Sequence, residues 1–144
     1  MNKTGLIFVS HGEFAKAALA SAEMIAGKQE DVVALALAED SSLEMMENWI
    51  KEAYDKLLAS CTDIIILADI YGGTPFNAIS RNLAKGMNAI AYTGLSLPLV
   101  IDLLLSREIS HEEIASKIEE THHMACQPIQ VPIIDDADDD DCDL

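Results

Sequence analysis

Four short apolar runs recur along this 144-residue chain: Gly5–Val9, Val32–Leu37, Ile64–Ala68 and Asn88–Tyr92. None alternates clearly between polar and apolar residues. Strands of that kind are covered on both faces, which is the habit of parallel sheets. The stretches between them carry helical periodicity. Glu13–Ala26 places Phe14, Ala17, Ala18, Met24 and Ile25 at near-helical spacing, with Gly27 as a stop. Ser41-Ser42-Leu43-Glu44 has the form of a capping box for a helix running to about Ala59. Thr74 is placed to be an N-cap, with Pro75 at the first helical position of a helix that ends near Gly86. Pro98 opens a short helix to about Leu105. Ser110-His111-Glu112-Glu113 is a second capping box, for a last helix to about His123.

Strands alternating with helices predict right-handed crossovers and an α/β fold with a doubly wound, mostly parallel sheet. Sites in such sheets form beyond the carboxyl ends of the strands, where the strand order reverses. With the order 2-1-3-4, the reversal lies between the first and third strands. His11 follows the first strand and Asp69 follows the third, so the two would meet there. Gln127–Ile134 alternates weakly and holds Pro128 and Pro132, so it forms an antiparallel edge strand at most. Residues 1–134 read as one domain, and 135–144 as an acidic, disordered tail.

Charge narrows the partners. The formal net charge is −16, but seven of the acids lie in the last ten residues, leaving −9 for the body. This argues against nucleic acid and anionic membrane, and favours a basic protein partner. No apolar run approaches the ~18 residues of a membrane span. The first residues, MNKTGLIFVSHG, lack a signal-peptide cleavage site and read as the first strand. Cys61, Cys126 and Cys142 are odd in number and form no Cys-x-x-Cys pair, which fits free thiols in a reducing cytoplasm.

The candidate site has three parts. His11, between a strand end and a helix start, is kept a neutral nucleophile by the positive end of the helix, and the same place welcomes an anion. Gly12 lets an incoming group approach the backbone. A lone histidine there is more often only a cap or a loop filler. Asp69 changes the balance, because a carboxylate on one ring nitrogen fixes the tautomer and aims the other nitrogen outward. Gly72-Gly73 then forms a turn whose amides converge on one point, with the Thr74 hydroxyl beside it. No Gly-Lys-Ser/Thr follows, so the turn is not a nucleotide P-loop. The other histidines carry less. His111 lies in a capping box, and His122 and His123 suit the last turn of a helix facing solvent. The Asp run lacks the Gly and closing Glu of a calcium loop. Met24, Met45, Met46 and Trp49 read as packing residues.

SHGEFA, LADIYGGTPFNA and TGLSLPLVIDLL, in that order, resemble the IIA component of mannose-family sugar phosphotransferase systems, over about Gly5 to His123. The resemblance implies that His11 is the phosphorylated histidine, that Asp69 hydrogen-bonds it and that Thr74 contacts the phosphoryl group. It implies a phosphotransferase that receives the group from the phosphocarrier HPr and passes it to a IIB component, which serves the membrane subunits IIC and IID. No metal or cofactor is implied. Members of the family dimerise by exchanging a C-terminal edge strand, here Gln127–Ile134. The chain closes on its Asp run, so IIB is expected as a separate protein. Two other readings share this fold: the phosphotransfer subunit of a dihydroxyacetone kinase, and a non-enzymatic anion-binding module.

Overall fold

The computed structural model of the chain describes residues 3–133. Its elements are β1 (Thr4–His11), α1 (Phe14–Ala26), β2 (Val32–Leu37), α2 (Leu43–Leu57), β3 (Asp63–Ala68), α3 (Gly73–Ala84), β4 (Ile90–Thr93), α4 (Leu97–Leu104) and α5 (His111–Met124). The four strands are parallel, in the order β2-β1-β3-β4. The predicted reversal between the first and third strands is present.

The sheet is a wall between two cores. Leu6 and Phe8 of β1 and Ile65 and Leu67 of β3 pack toward α1, α4 and α5. Ile7 and Val9 of β1 and Ile64, Ile66 and Ala68 of β3 pack toward α2 and α3. The two-residue period of a strand assigns each side chain to its face. His11 continues the parity of Ile7 and Val9, and so leaves β1 on the α3 side. A one-residue slip of β1 would carry it to the other face.

Several helix ends differ from expectation. α3 begins one residue before Thr74, with Gly72 as its N-cap, so Thr74 is the second helical residue and Pro75 the third. Gly72 reaches a φ of +81° that threonine adopts only with strain, so the glycine takes the cap. At α2 the cap is Ser42, whose side chain accepts from the Met45 N–H, and Glu44 cannot close a box from that register. The Ser110–Glu113 capping box forms as expected.

α1 also turns differently. Ala15, Ala18 and Ala22 face the core, while Phe14, Met24 and Ile25 face out, Met24 being 88% exposed. Small side chains let α1 sit close to the sheet and α4, and that fit outweighs the larger hydrophobes. Met46 is buried and Trp49 is partly buried against the α2 side, as expected of packing residues.

Among the described residues the C-terminal edge strand is not formed. Residues 127–133 hold no strand pairing within the chain, and Ile134 and the acidic tail lie outside the described residues. Pro128 and Pro132 each remove a ladder donor, and Ile129, Val131 and Ile133 are almost wholly exposed.

At the opposite end of the sheet, Arg107 ties the chain together. Its guanidinium donates to the carbonyls of Thr4, Glu30 and Asp31 at 2.5–2.8 Å. Its own carbonyl accepts from the Thr4 N–H. The loop before α5 thus fixes where β1 and β2 begin, and hence the level at which β1 ends.

Candidate phosphoryl-transfer site

β1 and β3 run in register from Thr4–Asp63 to Val9–Ala68, so the residues just beyond them are neighbours. The Asp69 N–H donates to the Val9 carbonyl at 3.1 Å, extending the ladder by one step. One carboxylate oxygen, Oδ2, accepts from the His11 N–H at 2.9 Å and lies 2.8 Å from His11 Nδ1. The other, Oδ1, accepts from the Ile70 N–H at 2.9 Å. Asp69 is therefore held on both oxygens, and it holds both the backbone and the ring of His11. Its side chain is 10% exposed, against 48% for His11.

With an ionised carboxylate on it, Nδ1 carries the ring proton and Nε2 keeps a free lone pair. Nε2 faces the start of α3. A methyl group placed on Gly73 would stand 3.2 Å from His11 Cε1 and 3.4 Å from Nε2. Gly73 (φ +86°) is thus required twice, by its backbone and by the ring resting on it. The first amides of α3 have no partner within the helix, and they carry its positive end. Of the predicted residues, the structure brings His11, Asp69 and Gly73 into contact. Gly72 and Thr74 flank Gly73. Thr74 makes no side-chain hydrogen bond among the described residues. Gly12 (φ +55°) lies on the other side of His11, with its N–H on the Leu37 carbonyl at 2.8 Å.

Sequence reasoning missed Ser10. It is fully buried, and its Oγ accepts from the Ala15 N–H at 2.7 Å and donates to the Gly12 carbonyl at 3.3 Å. Glu13, the formal cap of α1, makes no such bond. Ser10 therefore caps α1 from inside the strand and fixes the turn that follows His11. The signal was a serine five residues upstream of an orphan helix donor, outside the usual cap position.

Burial pushes the Asp69 carboxyl pKa up, but the His11 N–H, the His11 ring and the Ile70 N–H together outweigh it. They hold the group below its ordinary 3.8. A folded pKa below the unfolded one means that the unfolded chain binds the proton first as pH falls. The stability Asp69 contributes is complete above about pH 5 and is lost as pH falls through the folded pKa. Asp69→Asn cannot reproduce both acceptor sites. We expect it to lose about 1–2 kcal/mol at pH 7 and to converge with wild type in strong acid. Urea denaturation across pH tests this, and a constant difference at every pH would refute it.

The fold and this site define a class: an open parallel α/β domain with a carboxylate-held histidine at the switch point of its sheet. Comparison with known proteins makes the class specific. The family model described as "PTS system fructose IIA component" (EIIA-man) matches residues 5–108. The fructose-specific EIIA component of Bacillus subtilis is 26% identical over 126 residues, covering 88% of this chain and 84% of that protein. The mannose-specific EIIAB component of Escherichia coli is 28% identical over 121 residues, covering 81% of this chain but 36% of that protein. The mannose/sorbose-specific IIA subunit from Enterococcus faecalis superposes with a TM-score of 0.81 at 26% identity, over 92% of this chain and 99% of that one. The chain belongs to this family, the mannose-type IIA components of the phosphotransferase system. No helix among the described residues is long and apolar enough to cross a membrane.

Proposed function

We propose that the protein is a cytoplasmic phosphocarrier that accepts a phosphoryl group from phospho-HPr on His11 and passes it to a IIB component during sugar uptake. One observation carries this reading. The His11 ring is pinned through Nδ1 by Asp69, and its free Nε2 is turned to the Gly72-Gly73 turn at the start of a helix.

In the transfer, the Nε2 lone pair forms a bond to phosphorus while the bond from phosphorus to the donor's histidine nitrogen breaks. The leaving nitrogen keeps the electron pair. Nδ1 retains its proton, the ring gains positive charge, and the Asp69 carboxylate faces that charge. The phosphoryl oxygens meet the positive end of α3, with Thr74 in its first turn. Positioning and charge supply most of what a loose phosphoryl transition state needs. The test is intact mass after mixing with phosphoenolpyruvate, enzyme I and HPr. An acid-labile phosphate on the peptide containing His11 is expected. Folded protein that stays unlabelled beside phosphorylated HPr would overturn the reading.

We also propose a homodimer formed by exchange of the 127–134 strand. In an extended segment the N–H groups of Ile129, Val131 and Ile133 point to one edge, and positions 128, 130 and 132 to the other. Both prolines therefore fall on the edge away from a pairing strand. Among the described residues β4 is an edge strand, and beside it runs a cleft of about 380 Å³ lined by Tyr71, Phe76, Ile79, Leu83 and Tyr92. Sedimentation equilibrium should give a dimer, and a chain ending at residue 126 a monomer. A full-length monomer would remove the exchange.

A further inference from the structure

The Gly72-Gly73 turn has no side chain of its own, and Gly72 provides no side-chain cap. Something outside must set its angle. On one side Asp69 holds the Ile70 N–H. On the other, Tyr71 stands immediately before the N-cap and Phe76 at the fourth helical position. Their ring centroids are 4.4 Å apart, at an interplanar angle of 44°. This is the geometry of a hydrophobic staple, which fixes the direction in which a chain enters a helix. Tyr71 is nevertheless 80% exposed, so core burial does not account for its place. Among the described residues its hydroxyl has no hydrogen-bond partner. What the structure uses is the ring.

Resting on the assignment of His11 as the acceptor, we propose that Tyr71 is a positioning residue: its ring, stapled to Phe76, fixes the turn that sets Gly73 and the first amides of α3 against His11 Nε2. The link is short. Gly73 lies two residues from Tyr71 and three from Phe76, and it is the residue on which the imidazole rests. Loss of the staple frees the two glycines to rotate, and the phosphoryl-binding amides lose their aim while His11 and Asp69 stay paired.

A small donor separates this role from contact with a protein partner. Phosphoramidate carries no docking surface. In its reaction the donor is already protonated on nitrogen; the Nε2–phosphorus bond forms as the donor's P–N bond breaks, and the nitrogen leaves with the bonding electron pair as ammonia. At saturating donor, Tyr71→Ala and Phe76→Ala are expected to label roughly ten- to a hundredfold more slowly than wild type. Tyr71→Phe, which keeps the ring contact, is expected within about twofold. Wild-type labelling rates in Tyr71→Ala would overturn the proposal, even if transfer from HPr were slowed. A Tyr71→Phe variant as slow as Tyr71→Ala would overturn it too. Amide relaxation by NMR gives a readout independent of phosphorylation. The Gly72 and Gly73 amides should be rigid in wild type and Tyr71→Phe, and mobile in Tyr71→Ala. If wild type takes no label from phosphoramidate or from phospho-HPr, the acceptor role of His11 falls. The staple then stands on rigid amides freed by Tyr71→Ala, and is refuted by amides that do not change.

Discussion

Replacing His11 by alanine is expected to abolish phosphate acceptance from phosphoenolpyruvate, enzyme I and HPr, while the protein stays folded. No other described histidine is built for the reaction. His111 belongs to the start of α5, where its Nε2 is 3.2 Å from Asp63 Oδ1, at the far end of β3. His122 and His123 lie exposed in the last turn of α5, and among the described residues no ion pair holds either. The fold tolerates the change because the imidazole is half-exposed, and the backbone N–H of residue 11 still donates to Asp69. We expect a stability within about 1 kcal/mol of wild type. Intact mass and peptide mapping check the first half, and urea denaturation the second. Phosphate retained on any histidine of the His11→Ala protein would refute the assignment.

Gly73→Ala should nearly silence the site by a different route. A left-handed φ costs a residue with a Cβ about 1–2 kcal/mol. Gly72→Ala meets a strained backbone as well, at φ +81° and ψ 172°, a combination almost confined to glycine, but its added methyl would meet nothing within 4 Å. Only at Gly73 does the methyl also press on the His11 ring, on the edge that includes Nε2. The ring must turn from Asp69, or the methyl stands in the phosphoryl path. We expect both variants to lose stability, and Gly73→Ala alone to label roughly a hundredfold more slowly. Labelling rates beside urea midpoints separate the two effects. Equal rate losses in the two variants would show that backbone strain, and not contact with His11, explains the glycine.

The sheet was legible because its cause is local and repeated. Runs such as Ile64–Ala68 have no polar face to show to water, so they announce a strand covered on both sides. The meeting of His11 and Asp69 followed from strand order alone, since each sits just where its strand ends. The details that escaped are those in which neighbours compete. Thr74 has the better cap chemistry, but Gly72 has the backbone freedom, and the backbone decided. Phe14, Met24 and Ile25 outrank alanine in hydrophobicity, yet Ala15, Ala18 and Ala22 let α1 approach the sheet more closely. Ser10 caps α1 from five residues upstream, outside the usual cap spacing, and the Tyr71–Phe76 pair falls into the staple spacing only once Gly72, and not Thr74, is the cap. Residues 127–133 form no strand within the chain, though edge parity makes their prolines less of an obstacle than their number suggests.

The pairing of β1 with β3 has a consequence for the cell. The reactive pair is assembled only while these two inner strands are docked, and it draws on no mobile loop that could form it alone. Inner strands belong to the part of a protein that opens last, in the global transition. Chemical competence should therefore persist unchanged up to that transition and vanish with it. On the role proposed for His11, a chain that carries the label would by that fact have been inspected: the modification itself would certify that the two inner strands are docked.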